Sequence, residues 1–337
     1  MHSLESIAQG SQTRILRACC DLPSRFDLHH GGYIQDGRVA FTLYGQPEAP
    51  CVLVLGGISA GRDIAHQTDQ FASGWWRYHL GEGNSIDLTK YCVLGIDYLG
   101  GNGESSAPER DSDQTRQAIS TFDQANAIGV VLSHLGIERL AAAIGSSYGG
   151  MVTLALSCQS TITLGKALVI SAADQPDPVS TALREIQRQI VLLGHHSAQP
   201  KQALKLARAL AMITYRSADE FRQRFANDNA ILEHGFHADV IDYLNNRGEL
   251  FSQRFSAKAF YRLSQSIDLH RVELSQLSCP LTCVSVLEDK LIPHDSMQRM
   301  AAKANAELQT LQSIYGHDAF LKEQQSIAWI IKKFLTN

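Results

Sequence analysis

A serine hydroxyl is a weak nucleophile until a base takes its proton. This 337-residue chain carries a serine, an acid and a histidine in the order that such chemistry needs. Ser147 stands in Gly145-Ser146-Ser147-Tyr148-Gly149, a match to G-x-S-x-G. That motif marks a sharp strand-to-helix turn whose strained serine backbone needs small neighbours. Asp289 lies in Val286-Leu287-Glu288-Asp289-Lys290-Leu291-Ile292-Pro293, with Glu288 as the competing acid. His317 lies in Tyr315-Gly316-His317-Asp318-Ala319-Phe320. The histidine would be the base, and the acid would fix its tautomer and stabilise the imidazolium. Singly, each residue reads as an ordinary turn serine, loop cap or surface histidine. Their joint placement after three strand ends carries the catalytic reading. Such a triad also needs two backbone amides for the developing oxyanion. The amide of Tyr148 is one candidate, and Gly56, Gly57 and Ile58 offer the other.

The spacing of apolar residues predicts the elements that hold these groups. Cys51–Leu55, Tyr91–Asp97, Leu140–Ile144, Ala167–Ile170 and Leu281–Val286 are short continuous apolar runs. Such runs suit central strands covered on both faces. Helical spacing follows over 115–135, after the serine from Gly150 on, over 296–304 and over 318–334. The alternation implies a mostly parallel α/β sheet flanked by helices. Arg38–Tyr44 reads as a strand paired in a hairpin with residues near Tyr33, and the first thirty residues as a loose arm. Residues 174–277 break the rhythm with helical patterns and no strand run. They are expected to form a helical lid inserted into a core domain of residues 1–173 and 278–337.

Composition narrows the function. The net charge of −4 gives no basic field for nucleic acid. No window approaches a membrane span, and Met1–Thr13 lacks a signal pattern, which points to a cytoplasmic protein. The seven cysteines have no metal-ligand spacing and are expected to be reduced thiols. No metal is expected.

The chain resembles the homoserine O-acyltransferases of the α/β-hydrolase superfamily. The matching pieces are Gly56-Gly57-Ile58-Ser59-Ala60, Gly74-Trp75-Trp76, Asp97-Tyr98-Leu99-Gly100-Gly101, the serine motif with Gly150-Met151, the segment 207–217 ending Thr214-Tyr215-Arg216-Ser217, and Tyr315 to Phe320. The resemblance implies an α/β-hydrolase fold and a ping-pong acyl transfer. Ser147 would take the acyl group from acyl-CoA, and the L-homoserine hydroxyl would then accept it, in methionine biosynthesis. It implies that Arg216 and Asp318 hold the amino acid, that CoA is a co-substrate with no bound cofactor, and that the enzyme is a homodimer packed through lid helices. The compact length is closer to a subgroup associated with succinyl transfer. A succinyl carboxylate would want a cation, for which Arg62, Arg184 and Arg188 are candidates. L-Serine as acceptor, an esterase or thioesterase, and a non-catalytic binding module are the competing readings. The last usually shows a lost triad member, and none is lost here.

Overall fold

A computed structural model describes residues 14–65, 74–108, 117–159, 161–225, 229–233 and 235–336. The main sheet contains β1 (Ile15–Asp21), β2 (Arg38–Tyr44), β3 (Cys51–Leu55), β4 (Cys92–Ile96), β5 (Arg139–Ser146), β6 (Ala167–Ile170), β7 (Leu281–Val286) and β8 (Glu307–Leu311). Their spatial order is β1-β2-β4-β3-β5-β6-β7-β8, with Thr163–Leu164 also pairing β5. From β4 to β8 every neighbouring pair is parallel, and β1 and β2 are antiparallel additions at one edge.

The apolar runs are continuous because both sheet faces are covered. Along β3, Cys51, Leu53 and Leu55 enter one core, and Val52 and Val54 enter the other. The first core includes α1 (Thr121–Leu135) and α2 (Tyr148–Ser157). Fully burying one such side chain stabilises by about 1.5–3 kcal/mol, so these strands anchor the loops at their carboxyl ends.

Among the described residues, five α-helices lie between β6 and β7: α3 (Pro178–His196), α4 (Pro200–Tyr215), α5 (Ala218–Arg224), α6 (Asp239–Ser252) and α7 (Ala257–Asp268). Asp177 caps α3 by accepting from the amides of Val179 and Ser180, with Pro178 in the first turn. Within α4, Leu204 and Met212 are buried and Leu206 is exposed. Beyond β7 come α8 (His294–Ala304), α9 (Ala319–Lys322) and α10 (Gln324–Thr336). Ile327, Ile330, Ile331 and Phe334 of α10 cover the second core.

The structure corrects several sequence expectations. β2 pairs with β1, not with residues near Tyr33. Tyr33–Gln35 pairs instead with Arg25–Asp27. The supposed arm is therefore structured from Ile15, and an edge strand with one buried residue leaves little apolar signal. Met1–Thr13 lies outside the described residues. The helix expected from 115 starts at Thr121, where Ser120 and Asp123 form a reciprocal capping box; residues 115 and 116 lie outside the described set. The expected terminal helix is broken at Glu323 into α9 and α10. The helical segment also contains a short hairpin, Ala230–Leu232 with Gly235–His237. Among the described residues, no helix is long and apolar enough to cross a membrane.

Candidate active site

Ser147 sits between the end of β5 and the start of α2 with φ 55° and ψ −124°. A non-glycine residue held there stores about 1–3 kcal/mol of strain. The surroundings enforce it. The Ser147 amide donates to the Ile170 carbonyl at 2.9 Å, and the Gly150 amide donates to the Ser147 carbonyl at 2.9 Å. A side chain at Gly145 would overlap the Gly149 carbonyl, and one at Gly149 would come within 2.5 Å of the Leu55 carbonyl carbon. The two motif glycines thus let α2 approach β3 and β5 while the serine points out of the turn.

His317 follows β8 in a single 3-10 turn, Gly316–Asp318. Its Nε2 lies 2.8 Å from Ser147 Oγ, and its Nδ1 lies 2.7 Å from Asp289 Oδ2. Asp289 is in the loop after β7. Its other oxygen, Oδ1, accepts from the amides of Leu291 at 2.9 Å and Ile292 at 3.0 Å. Glu288 points elsewhere and accepts from the Ser313 amide at 2.7 Å. The structure therefore brings Ser147, His317 and Asp289 together and leaves Glu288 out. A carboxylate can only accept, so Nδ1 carries the proton and Nε2 is free to accept from the serine hydroxyl.

Burial disfavours charge on the His317 ring, but the Asp289 carboxylate and its hydrogen bond outweigh that effect, with Asp318 adding to them and Arg184 opposing. The net result is a pKa raised above the ordinary histidine value. Protonated His317 cannot accept a proton, so the raised pKa moves the acid limb of activity toward higher pH. With a p-nitrophenyl ester as acyl donor, kcat/KM is expected to rise with pH through a midpoint above that of an ordinary histidine. Asp318→Asn is expected to shift that midpoint to lower pH. A midpoint that does not move in Asp318→Asn would remove Asp318 from the electrostatics of the base.

The triad opens into a cavity of about 160 Å³. Gly57, Ile58 and Tyr148 line it. Gly56 does not; its carbonyl accepts from the Gly149 amide at 2.9 Å and the Tyr98 hydroxyl at 2.7 Å, which pins the loop. A methyl group at Gly57 would lie 3.8 Å from Ser147 Oγ, so this backbone passes beside the nucleophile. Tyr148 is the first residue of α2, where a helix leaves amides without intrahelical acceptors. Trp75 of the Gly-Trp-Trp segment also lines the cavity, and its indole donates to the Gly61 carbonyl.

Arg216, which the resemblance implies as a ligand of the amino acid, pairs in this structure with two carboxylates. It is buried, and it is absent from the cavity wall. Its Nη1 donates to both carboxylate oxygens of Glu220 at 3.1 Å, and its Nη2 lies 3.1 Å from Asp318 Oδ2. Asp318 does line the cavity. Arg216 therefore holds Asp318 in place. The guanidinium on the wall is Arg208, two helical turns earlier in α4. It rests over the rings of Tyr215 and Phe251. The segment 207–217 contains both arginines; eight residues apart on a helix, 208 and 216 share roughly one face, but Arg216 falls at the helix end and turns away.

The three cations weighed for a donor carboxylate separate cleanly. Arg184 lines the cavity. Its Nε donates to Asp268 at 2.8 Å, and its Nη1 has no protein partner among the described residues. Arg188 is tied to Asp268, Glu185 and Ser264 behind it. Arg62 is far along the loop, beside Asp97 and Glu104.

The alpha/beta hydrolase fold model matches residues 50–324. The chain is 34% identical to a homoserine O-succinyltransferase of Xanthomonas campestris pv. campestris, over 92% of this chain and 82% of that one. It is 30% identical to a serine O-succinyltransferase of Frateuria aurantia, over 93% of this chain and 97% of that one. A solved homoserine O-acetyltransferase of Staphylococcus aureus superposes with a TM-score of 0.82 at 24% identity, covering 96% of each chain, which speaks to the fold. With a nucleophile turn, a closed triad and a cavity bearing Arg208 and Asp318 behind these matches, the chain belongs to the homoserine O-acyltransferase family of α/β-hydrolase-fold enzymes.

Proposed function

We propose that the enzyme transfers a succinyl group from succinyl-CoA to the hydroxyl of L-homoserine. The observation that carries this reading is the cavity itself. Its lining holds the Ser147–His317 pair together with a guanidinium, Arg208, and a carboxylate, Asp318. An amino acid presents a carboxylate to the first and an ammonium to the second. Arg184 supplies a further cation on the same wall, with one Nη able to meet a succinyl carboxylate. The similarity to a homoserine O-succinyltransferase over most of the chain supports the same donor and acceptor.

The chemistry follows from the hydrogen bonds. Ser147 Oγ attacks the thioester carbonyl as its proton passes to His317 Nε2. The tetrahedral oxyanion is met by the Tyr148 amide and by an amide of Gly57 or Ile58. The C–S bond breaks, and the CoA sulfur leaves with the proton from His317. Homoserine then binds, gives its hydroxyl proton to His317 and attacks the acyl-serine carbonyl. Collapse of the second intermediate releases O-succinylhomoserine and returns the proton to Ser147. No metal or bound cofactor is used.

Thiol release from succinyl-CoA or acetyl-CoA, with and without L-homoserine or L-serine, tests this. Homoserine-dependent release with succinyl-CoA and a product of the mass of O-succinylhomoserine is the expected result. Release that gives free acid whatever the acceptor would make the enzyme a hydrolase. In the same assay Arg208→Gln is expected to raise the KM for homoserine about 100-fold, because a charge-assisted bond contributes about 1.5–3 kcal/mol. An unchanged KM would remove Arg208 from the acceptor site.

A further inference from the structure

Beside the cavity of Ser147 lies a second one of about 410 Å³, and Ile58, Ser59, Ala60 and Arg208 line both. Arg247 of α6 and Arg254, just beyond that helix, line the second cavity. A third hollow of about 390 Å³ shares Arg254, Asn102 and Phe255 with it and ends at Lys201, in the first turn of α4. Arg247, Arg254 and Lys201 are exposed. Among the described residues none of the three has a carboxylate partner, and Arg247 rests only over the Tyr243 ring. Asp97 is the acid of the second cavity, and it is buried and already committed to the amides of Arg62 and Glu104. No side chain caps the start of α4, and a helix N-terminus favours negative charge. The result is a run of unpaired cations leading outward from the nucleophile, in a chain whose net charge is −4.

A hydrolase of simple esters has no use for such a run. An acyl carrier with a long arm and phosphates at its far end does. We propose that Arg247, Arg254 and Lys201 seat the diphosphate and 3′-phosphate of the CoA carrier, whose thioester end reaches Ser147 past the Ile58–Ala60 backbone. Guanidinium groups bind phosphate oxygens in pairs, and a lysine adds a point charge. The assignment rests on the acyl-CoA reading of the site and names the part of the donor that each hollow receives.

The test is the full-length double variant Arg247→Glu/Arg254→Glu. Both residues are exposed, and surface substitutions of this kind usually leave folding intact. The KM for succinyl-CoA is expected to rise about 100-fold relative to the KM for S-succinyl-pantetheine, which lacks the phosphates. By calorimetry, CoA is expected to bind the double variant more weakly by a similar factor, and the loss is expected to shrink with dephospho-CoA. Raising the salt concentration is expected to weaken CoA binding to the wild type more than pantetheine binding. Equal changes for both donors, or unchanged CoA affinity, would overturn the assignment. CoA binding needs no turnover, so this result stands apart from the acyltransferase reading. That reading fails separately if the wild type releases no thiol from acyl-CoA with homoserine present.

Discussion

Ser147→Ala is expected to abolish acyl-enzyme formation and to lower kcat about 10⁶-fold, with His317→Ala falling by a similar factor and the double variant falling no further. The non-additivity follows from the geometry. Among the described residues, Nε2 of His317 has one hydrogen-bond partner, the Ser147 hydroxyl at 2.8 Å. Without the base, the hydroxyl keeps its proton; without the hydroxyl, the base has nothing to deprotonate. Each single substitution therefore removes the same step. Alanine keeps the backbone in the strained turn as serine does, so stability is expected to change little. Intact-mass measurement after mixing with succinyl-CoA reads the acyl adduct directly. An adduct on the Ser147→Ala protein, or a double variant much slower than both singles, would place the nucleophile elsewhere.

Asp289→Asn carries the second largest expected effect, a loss of about 10⁴ in kcat. The isosteric amide has two possible orientations, and the structure selects the harmful one. The amides of Leu291 and Ile292 both donate to the Oδ1 position, which must then be the carbonyl oxygen of asparagine. The NH₂ group is left facing His317 Nδ1 at the Oδ2 position. That nitrogen must now accept, so the ring proton moves to Nε2, and Nε2 can no longer take the proton of Ser147. Glu288→Gln keeps its contact to the Ser313 amide and touches no part of the triad, so its activity is expected to stay near that of the wild type. Parallel kcat measurements on the two variants decide between the neighbouring acids. Comparable losses in both would undo the assignment of Asp289.

The sequence was most legible where backbone physics demands particular residues. Continuous apolar runs marked β3 to β7 because both faces of those strands are buried. The glycines around Ser147 marked the turn because a side chain at Gly145 or Gly149 would collide with neighbouring backbone. Edge strands were less legible: β1 has one fully buried residue, so its alternation is too weak to read. Side-chain direction was least legible of all. Arg208 and Arg216 share one segment, and nothing in their spacing says that the first faces the cavity while the second turns into a buried pair with Glu220 and Asp318. That outcome depends on where α4 ends and on which carboxylates come from α5 and the loop after β8. Charged partners from distant parts of the chain leave no local pattern. The same holds for Arg247 and Arg254 of the second cavity, which come from α6 and the turn beyond it.

The nucleophile and its base are 170 residues apart in the chain, with the helical segment and the strands β6, β7 and β8 made in between. At a synthesis rate of about 5–20 residues per second, roughly ten to thirty seconds separate their emergence from the ribosome. Through that interval the serine exists without a partner able to take its proton. A chain that stalls or is cut before His317 carries an ordinary alcohol. It neither acylates itself nor drains thioesters from the cell, so chemical competence waits for nearly all of the polypeptide.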